Sequence, residues 1–425
     1  MQDFDTPYSL LSPFMREPPR ERPEVDDGNG RKEDKRDSSG FPARGVEPGR
    51  SVESSVMLRN ERDIKLLNLT GHQGEVFMCT WNPSQRRIAS GSADGICRLW
   101  GLDNVDDSRW AQPEGKMDVP NVVLPHCAHV GEKYKDVTSL SWSPEGRLLA
   151  TGCYDGTARI WDDQGRLVHA LRGHVGPVFT IKWNKSGSLL LSGSHDKRTI
   201  VWAASTGTVV RTFELHTSPV LDVDWRDDSI FASCSSDMTI YVCSMDSEAS
   251  SALRTFTGHK NEVNTVCWSP SGALLASCSD DSTAKVWTLE GLKNDLRGHL
   301  KEIYSAKWTP TGPQSRNPSK DLRLCTASFD GTVRVWNTDS GSTVFILRRQ
   351  NQPVYSIASS PSGDYLAAGS LGGYLTIYNL KDGSVVHEIK GVGATFDVSW
   401  SHDGSMLSAC FSSANLIILN TRKWM

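Results

Sequence analysis

The chain has 425 residues, 46 Lys and Arg against 50 Asp and Glu, and a formal net charge of −4. That balance argues against bulk electrostatic binding to DNA or RNA, and no sequence-specific nucleic-acid partner is expected. No run of about 18 apolar residues occurs and the start Met1-Gln2-Asp3-Phe4-Asp5 lacks a basic, then apolar leader pattern, so no membrane segment or signal peptide is expected.

Residues 1–58 hold seven Pro, charges of both signs and few β-branched residues. Such a segment buries too little apolar surface to offset its chain entropy, and a disordered tail is expected there, followed by a folded domain over 59–425. Arg31-Lys32-Glu33-Asp34-Lys35-Arg36 reads as a solvated linker more than a nuclear import signal, because acidic residues interrupt it.

From about residue 62 the sequence repeats. Each unit begins near Gly-His, runs through an apolar stretch to a Trp, turns at Pro or Gly, continues into a strand of small residues, and reaches an Asp six residues before a second Trp. The clearest copies are Gly71-His72…Trp81…Asp94…Trp100, Gly173-His174…Trp183…Asp196…Trp202, Gly258-His259…Trp268…Asp281…Trp287 and Gly298-His299…Trp308…Asp330…Trp336. Degraded copies are Trp142…Asp155…Trp161, and His216…Trp225…Asp237 with Cys243 in the second Trp position. In a seventh, Gln350, Gly372 and Tyr378 replace His, Asp and Trp; an eighth keeps Trp400 but has Ser413 and Leu419. The second-Trp positions fall at 100, 161, 202, 243, 287, 336, 378 and 419, mostly 41–44 apart, a spacing that resembles a four-stranded WD40 blade.

Within a unit, Leu148-Leu149-Ala150-Thr151-Gly152 and Thr157-Ala158-Arg159-Ile160-Trp161 read as strands bounded by Ser143-Pro144-Glu145-Gly146 and Tyr154-Asp155-Gly156. Four short strands cannot cover both faces of their own sheet, so eight such sheets are expected to stack into a closed all-β propeller. Ile64-Lys65-Leu66-Leu67-Asn68-Leu69 lies where an outermost strand belongs but has no preceding unit. It is expected to pair with the strands around Trp400–Asn420 and close the ring. Residues 103–133 and Thr311–Asp321 lengthen two intervals and read as surface loops.

The repeated His, the hydroxyl on the second strand, the turn Asp and the second Trp can share one buried hydrogen-bonded chain, so His72, His174, His216, His259, His299 and their Asp partners are read as folding residues. The ten Cys are scattered without a CxxC pair, as in a reducing compartment. P-loop, HExxH and GxSxG motifs are absent. His126-Cys127-Ala128-His129 is the nearest thing to a ligand cluster and lacks partner ligands, so neither metal, cofactor nor catalytic residue is expected.

Function is expected at one mouth of the ring. The position two after Glu75, followed through the units, gives Phe77, Thr138, Phe179, Leu221, Asn264, Tyr304, Tyr355 and Phe396. The residue before each turn Asp gives Ala93, Tyr154, His195, Ser236, Asp280, Phe329, Leu371 and Ser412, and Glu75, Asp136, Glu262 and Glu302 flank the first set. Aromatic faces among carboxylates suit a segment carrying Lys or Arg.

Several unit-specific stretches narrow the resemblance. Glu75-Val76-Phe77, Trp81-Asn82-Pro83, Lys135-Asp136-Val137-Thr138-Ser139-Leu140, Leu221-Asp222-Val223-Asp224-Trp225, Lys301-Glu302-Ile303-Tyr304 and Trp308-Thr309-Pro310-Thr311-Gly312-Pro313 are similar to the propeller of the transducin β-like corepressor subunits, over residues 64–423. The resemblance implies an eight-bladed adaptor in a nuclear corepressor complex with a class I histone deacetylase, contacting histone tails. It also implies, for some members, recruitment of the ubiquitin–proteasome machinery. A substrate receptor of a ubiquitin ligase and a cytoplasmic scaffold stay open beside the corepressor role. The family's N-terminal LisH and F-box-like modules have no counterpart pattern in residues 1–58, which leaves the oligomeric state open.

Overall fold

The computed structural model describes residues 57–59, 65–103, 105, 119–127, 135–247, 249–349 and 351–424. The residues read as a disordered tail and a basic run therefore lie outside the described residues, except Met57 and Leu58. So do Gln350, Ala128 and His129.

Eight antiparallel sheets, and no helix among the described residues, make up the domain. Their innermost strands are Val76–Trp81, Val137–Trp142, Val178–Trp183, Val220–Trp225, Val263–Trp268, Ile303–Trp308, Val354–Ser359 and Thr395–Trp400, numbered here as blades 1 to 8. Each innermost strand touches those of both neighbours, and the eighth touches the first, so the ring is closed. Lys65–Leu69 pairs with Leu416–Asn420, from Lys65 opposite Asn420 to Leu69 opposite Leu416, and supplies the outer strand of blade 8. Leu67 and Leu69 are buried in the same cluster as Trp100, Met406 and Ile418. The closure read from the sequence is the one observed.

Two polar devices tie the blades. The first Trp of a unit donates its indole N–H to the carbonyl of the preceding innermost strand: Trp81 to Ser399 at 3.0 Å, Trp142 to Thr80, Trp183 to Ser141, Trp225 to Lys182, Trp308 to Cys267 and Trp400 to Ala358. Two blades lack it: the indole N–H of Trp268 in blade 5 is buried without a partner, and blade 7 has Ser359 in that place. Asp222 accepts from the Thr180 and Thr265 hydroxyls of blades 3 and 5, at 3.1 and 2.8 Å. Opposite it, Asp397 accepts from the Ser356 hydroxyl of blade 7 and the Cys79 amide of blade 1. A buried carboxylate stays in place only with such partners.

One expectation is corrected. The stretch 103–133 is not all surface loop: Asn121–Pro125 is the outer strand of blade 1, and Leu102, Val105 and Val119 are buried. His126, read as the nearest approach to a ligand, follows that strand as the His of blade 2. Its Nδ1–H donates to the Leu124 carbonyl, while Nε2 accepts from the Thr151 hydroxyl at 2.7 Å. Burial pushes its pKa down to about 3, so it stays neutral. Pro125 stands where the clearest units have Gly, which hid the repeat. All ten Cys are free, eight of them buried among apolar side chains.

Candidate functional site

The repeat residues form the expected network. In blade 1, Trp100 donates to the Ser90 hydroxyl at 2.9 Å, Ser90 donates to His72 Nε2 at 2.8 Å, and His72 Nδ1–H donates to Asp94 at 3.0 Å. Blades 3, 5 and 6 repeat it through Trp202–Ser192–His174–Asp196, Trp287–Ser277–His259–Asp281 and Trp336–Thr326–His299–Asp330. Blade 4 keeps Ser233–His216–Asp237, with the Tyr241 ring against His216 instead of an indole. In blade 2, Trp161 and His126 share Thr151, but Asp155 takes Arg159 and Lys135 rather than His126. Burial alone would raise these carboxyls. Bonds from His174 and from the Val175 and Arg198 amides outweigh it and hold Asp196 well below the usual range; Arg159 and the Thr157 amide bring Asp155 to about 2. Both nitrogens of each of these histidines are thus engaged within the blade.

The same turns orient the mouth. The residue after each turn Asp or its equivalent is left-handed in all eight blades: Gly95, Gly156, Gly331 and Gly373, but also Lys197, Met238, Ser282 and Ala414. The backbone N–H before it bonds the carbonyl ahead of the innermost strand, as Ala93 to Glu75, Tyr154 to Asp136, Asp280 to Glu262 and Phe329 to Glu302. The two sets read from the sequence are therefore neighbours. Every innermost strand also carries a register shift between its first and third residues, for instance Val76/Met78, Val263/Thr265 and Ile303/Ser305. The residue between them is the one singled out in each unit. A bulge re-aims a side chain, and here each blade has one at the residue singled out. Sequence spacing found the position, but nothing in the sequence announced the bulge.

The structure joins part of the predicted rim. Tyr304 stacks on Phe329 with centroids 4.4 Å apart and on Tyr355 at 5.7 Å; Tyr355 meets Phe396 at 6.2 Å, and Phe396 meets Phe77 at 5.8 Å. This arc runs over blades 6, 7, 8 and 1. Phe77 is only 6 % exposed, so it backs Phe396 as packing and is not an accessible rim residue. Phe179 and His195 meet edge to face at 6.0 Å on blade 3, away from the arc, and Tyr154, Asp136 and Glu75 sit on blades 1 and 2.

The acidic end of the arc is at blades 5 and 6. Asp280 accepts from Asn264 at 2.6 Å, and Glu262 accepts from the Ser236 hydroxyl at 3.1 Å. Burial, then repulsion from Glu262 and Glu302, pushes Asp280 up to about 6; burial raises Glu262 as well. The Tyr304 hydroxyl is raised by burial and by the nearby Asp280, Glu302 and Glu262. Three carboxylates crowded beside a stacked aromatic face are costly without a counter-charge, and a cation is the group that relieves them. Among the described residues, no three His, Cys, Asp or Glu converge as a metal site.

Comparison with known proteins places this geometry. The family model for the WD domain, G-beta repeat, matches residues 64–101, 125–162, 165–203, 207–244, 250–288, 291–337 and 341–379. The WD40 repeat-containing protein HOS15 of Arabidopsis thaliana is 44% identical over 363 residues, 85% of this chain and 58% of the relative. The F-box-like/WD repeat-containing protein TBL1X of Mus musculus is 45% identical over 361 residues, 84% of this chain and 66% of the relative. The chain thus spans about three fifths of the length of these relatives. The crystal structure of the C-terminal WD40 domain of Sif2 superposes with a TM-score of 0.69 at 24% identity, covering 86% of this chain and 98% of that one, and shares the fold.

Proposed function

Since the chain belongs to the WD40-repeat family, we propose that it is a non-enzymatic adaptor of a nuclear transcriptional corepressor complex, one containing a class I histone deacetylase, and that its acidic, aromatic mouth takes Lys- and Arg-bearing segments such as histone tails. The observation that carries this reading is the set Glu262, Asp280 and Glu302 beside the stacked Tyr304, Phe329 and Tyr355. A cation over such a ring contributes about 0.5–2 kcal/mol, more as water is excluded. Support for the setting comes from the likeness to the F-box-like/WD repeat-containing proteins and, at 22% identity, to the transcriptional corepressor LEUNIG_HOMOLOG of Arabidopsis thaliana.

The double substitution Tyr304→Ala with Glu302→Ala is expected to weaken binding of a Lys/Arg-rich peptide at least tenfold in a calorimetric titration, with the circular dichroism of the ring retained. Affinity within twofold of the parent would sink the assignment of this mouth. The words "F-box-like" in the mammalian relatives' names favour a second reading, a ubiquitin-ligase substrate receptor using the same mouth. Co-purification separates the two: deacetylase and corepressor subunits support the first, cullin and ubiquitin-conjugating partners the second.

A further inference from the structure

Blade 7 combines three departures from the repeat. Ser359 leaves it without an indole bond to blade 6, and Gly372 and Tyr378 leave it without the buried Asp and Trp. It also has five strands: Met57–Arg59 runs antiparallel along its outer strand Val385–Lys390, pairing Met57 with Lys390, Leu58 with Ile389 and Arg59 with Glu388. Among the described residues no other outer strand carries a fifth.

The side chains of that edge differ accordingly. Each outer strand has a buried apolar residue near its end, Ile389 here, and the residue before it is half-buried or exposed in every other blade: Val123 is 44% exposed in blade 1 and Ile346 56% in blade 6. Glu388 in the same place is 4% exposed and takes Arg349 Nε at 3.0 Å. Beside it, the Trp424 ring lies 4.2 Å from His387, and the Trp424 carbonyl accepts from the Tyr365 hydroxyl. Met57–Arg59 and Trp424 thus both lie against blade 7.

We propose that the outer edge of blade 7 is a strand-addition site for an extended segment of the pattern apolar–apolar–cation, with the cationic residue opposite Glu388, and that Met57–Arg59 is its exchangeable occupant. An outer strand offers unpaired N–H and C=O groups, and an added strand takes its affinity from them and its specificity from alternate side chains. Three residues make few such bonds, so a partner segment of the same pattern displaces them. The closure strand Lys65–Leu69 belongs to a different blade and stays in place during the exchange.

The test uses the full chain with Met57→Pro, Leu58→Pro and Arg59→Pro together, which removes every donor of the occupant. The edge-facing amides of 386–390 are expected to exchange hydrogen at least tenfold faster than in the parent. A labelled peptide of residues 54–62 is expected to bind the variant at least tenfold more tightly than the parent, and Glu388→Gln in the variant is expected to cut that affinity at least fivefold. Equal exchange in parent and variant would overturn the strand, and equal peptide affinity for the two, or binding indifferent to Glu388→Gln, would overturn the docking site.

Discussion

Replacing Leu67 and Leu69 together by Ala is expected to destabilise the entire domain by roughly 4–10 kcal/mol, at 2–5 kcal/mol for each buried leucine removed. Both side chains are at most 3% exposed and sit in the cluster that joins blade 8 to blade 1, although they precede blade 1 in the chain and pair with Leu416–Asn420 of blade 8. In a ring each blade covers the faces of its neighbours, so loss of this one strand exposes surface in blades far from it. Urea unfolding followed by tryptophan fluorescence checks this: the midpoint should fall in a single transition. Val209→Ala with Val210→Ala on the outer strand of blade 3, where both residues are 46% exposed, should move it little. If the closure substitutions shifted the midpoint no more than this control, the ring would not depend on its closure.

Ser192→Ala in blade 3 is expected to cost roughly 2–6 kcal/mol, because one hydroxyl serves both His174 Nε2 and Trp202 Nε1 and each buried group left unpaired costs about 1–3 kcal/mol. Blade 4 supplies the internal comparison. Ser233 bonds His216, and Cys243 replaces the indole, so Ser233→Ala strands one group and should cost about half as much. Equal losses from the two substitutions in denaturant titrations would mean that the indole bond contributes nothing.

The architecture was legible because blades 1, 3, 5 and 6 carry the same polar chain, and burial forces its His, hydroxyl, Asp and Trp to keep a fixed spacing that the other blades follow in register. Closure was legible for a related reason: an apolar stretch in outer-strand position with no unit before it has one place to pair. The outer strand of blade 1 was hidden because an insert separates it from its sheet and Pro125 replaces the expected Gly, which left His126 looking like part of a loop. At the mouth, register alone picked the inward residue of every blade, yet it could not distinguish the accessible Tyr304 from the buried Phe77. That depends on the bulge and on the size of the neighbouring blade's side chain. Asp222 and Asp397 were missed as ties between blades, since a carboxylate in a strand reads as solvent-facing until its partners on two other sheets are seen.

The most direct test of the cation-binding mouth is the affinity of a Lys/Arg-rich peptide measured from pH 5 to 8 at constant ionic strength. With its N-terminus acetylated, the peptide's Lys and Arg charges do not change over that range. Burial and the neighbouring Glu262 and Glu302 hold Asp280 up to about 6, so its negative charge is absent at the low end and present at the high end. A bound cation favours the ionised carboxylate. Affinity is therefore predicted to climb as the pH rises through about 6, to level off above about 7, and to lose most of that climb in Asp280→Asn. A flat profile in the parent, or a rise that Asp280→Asn leaves intact, would contradict it.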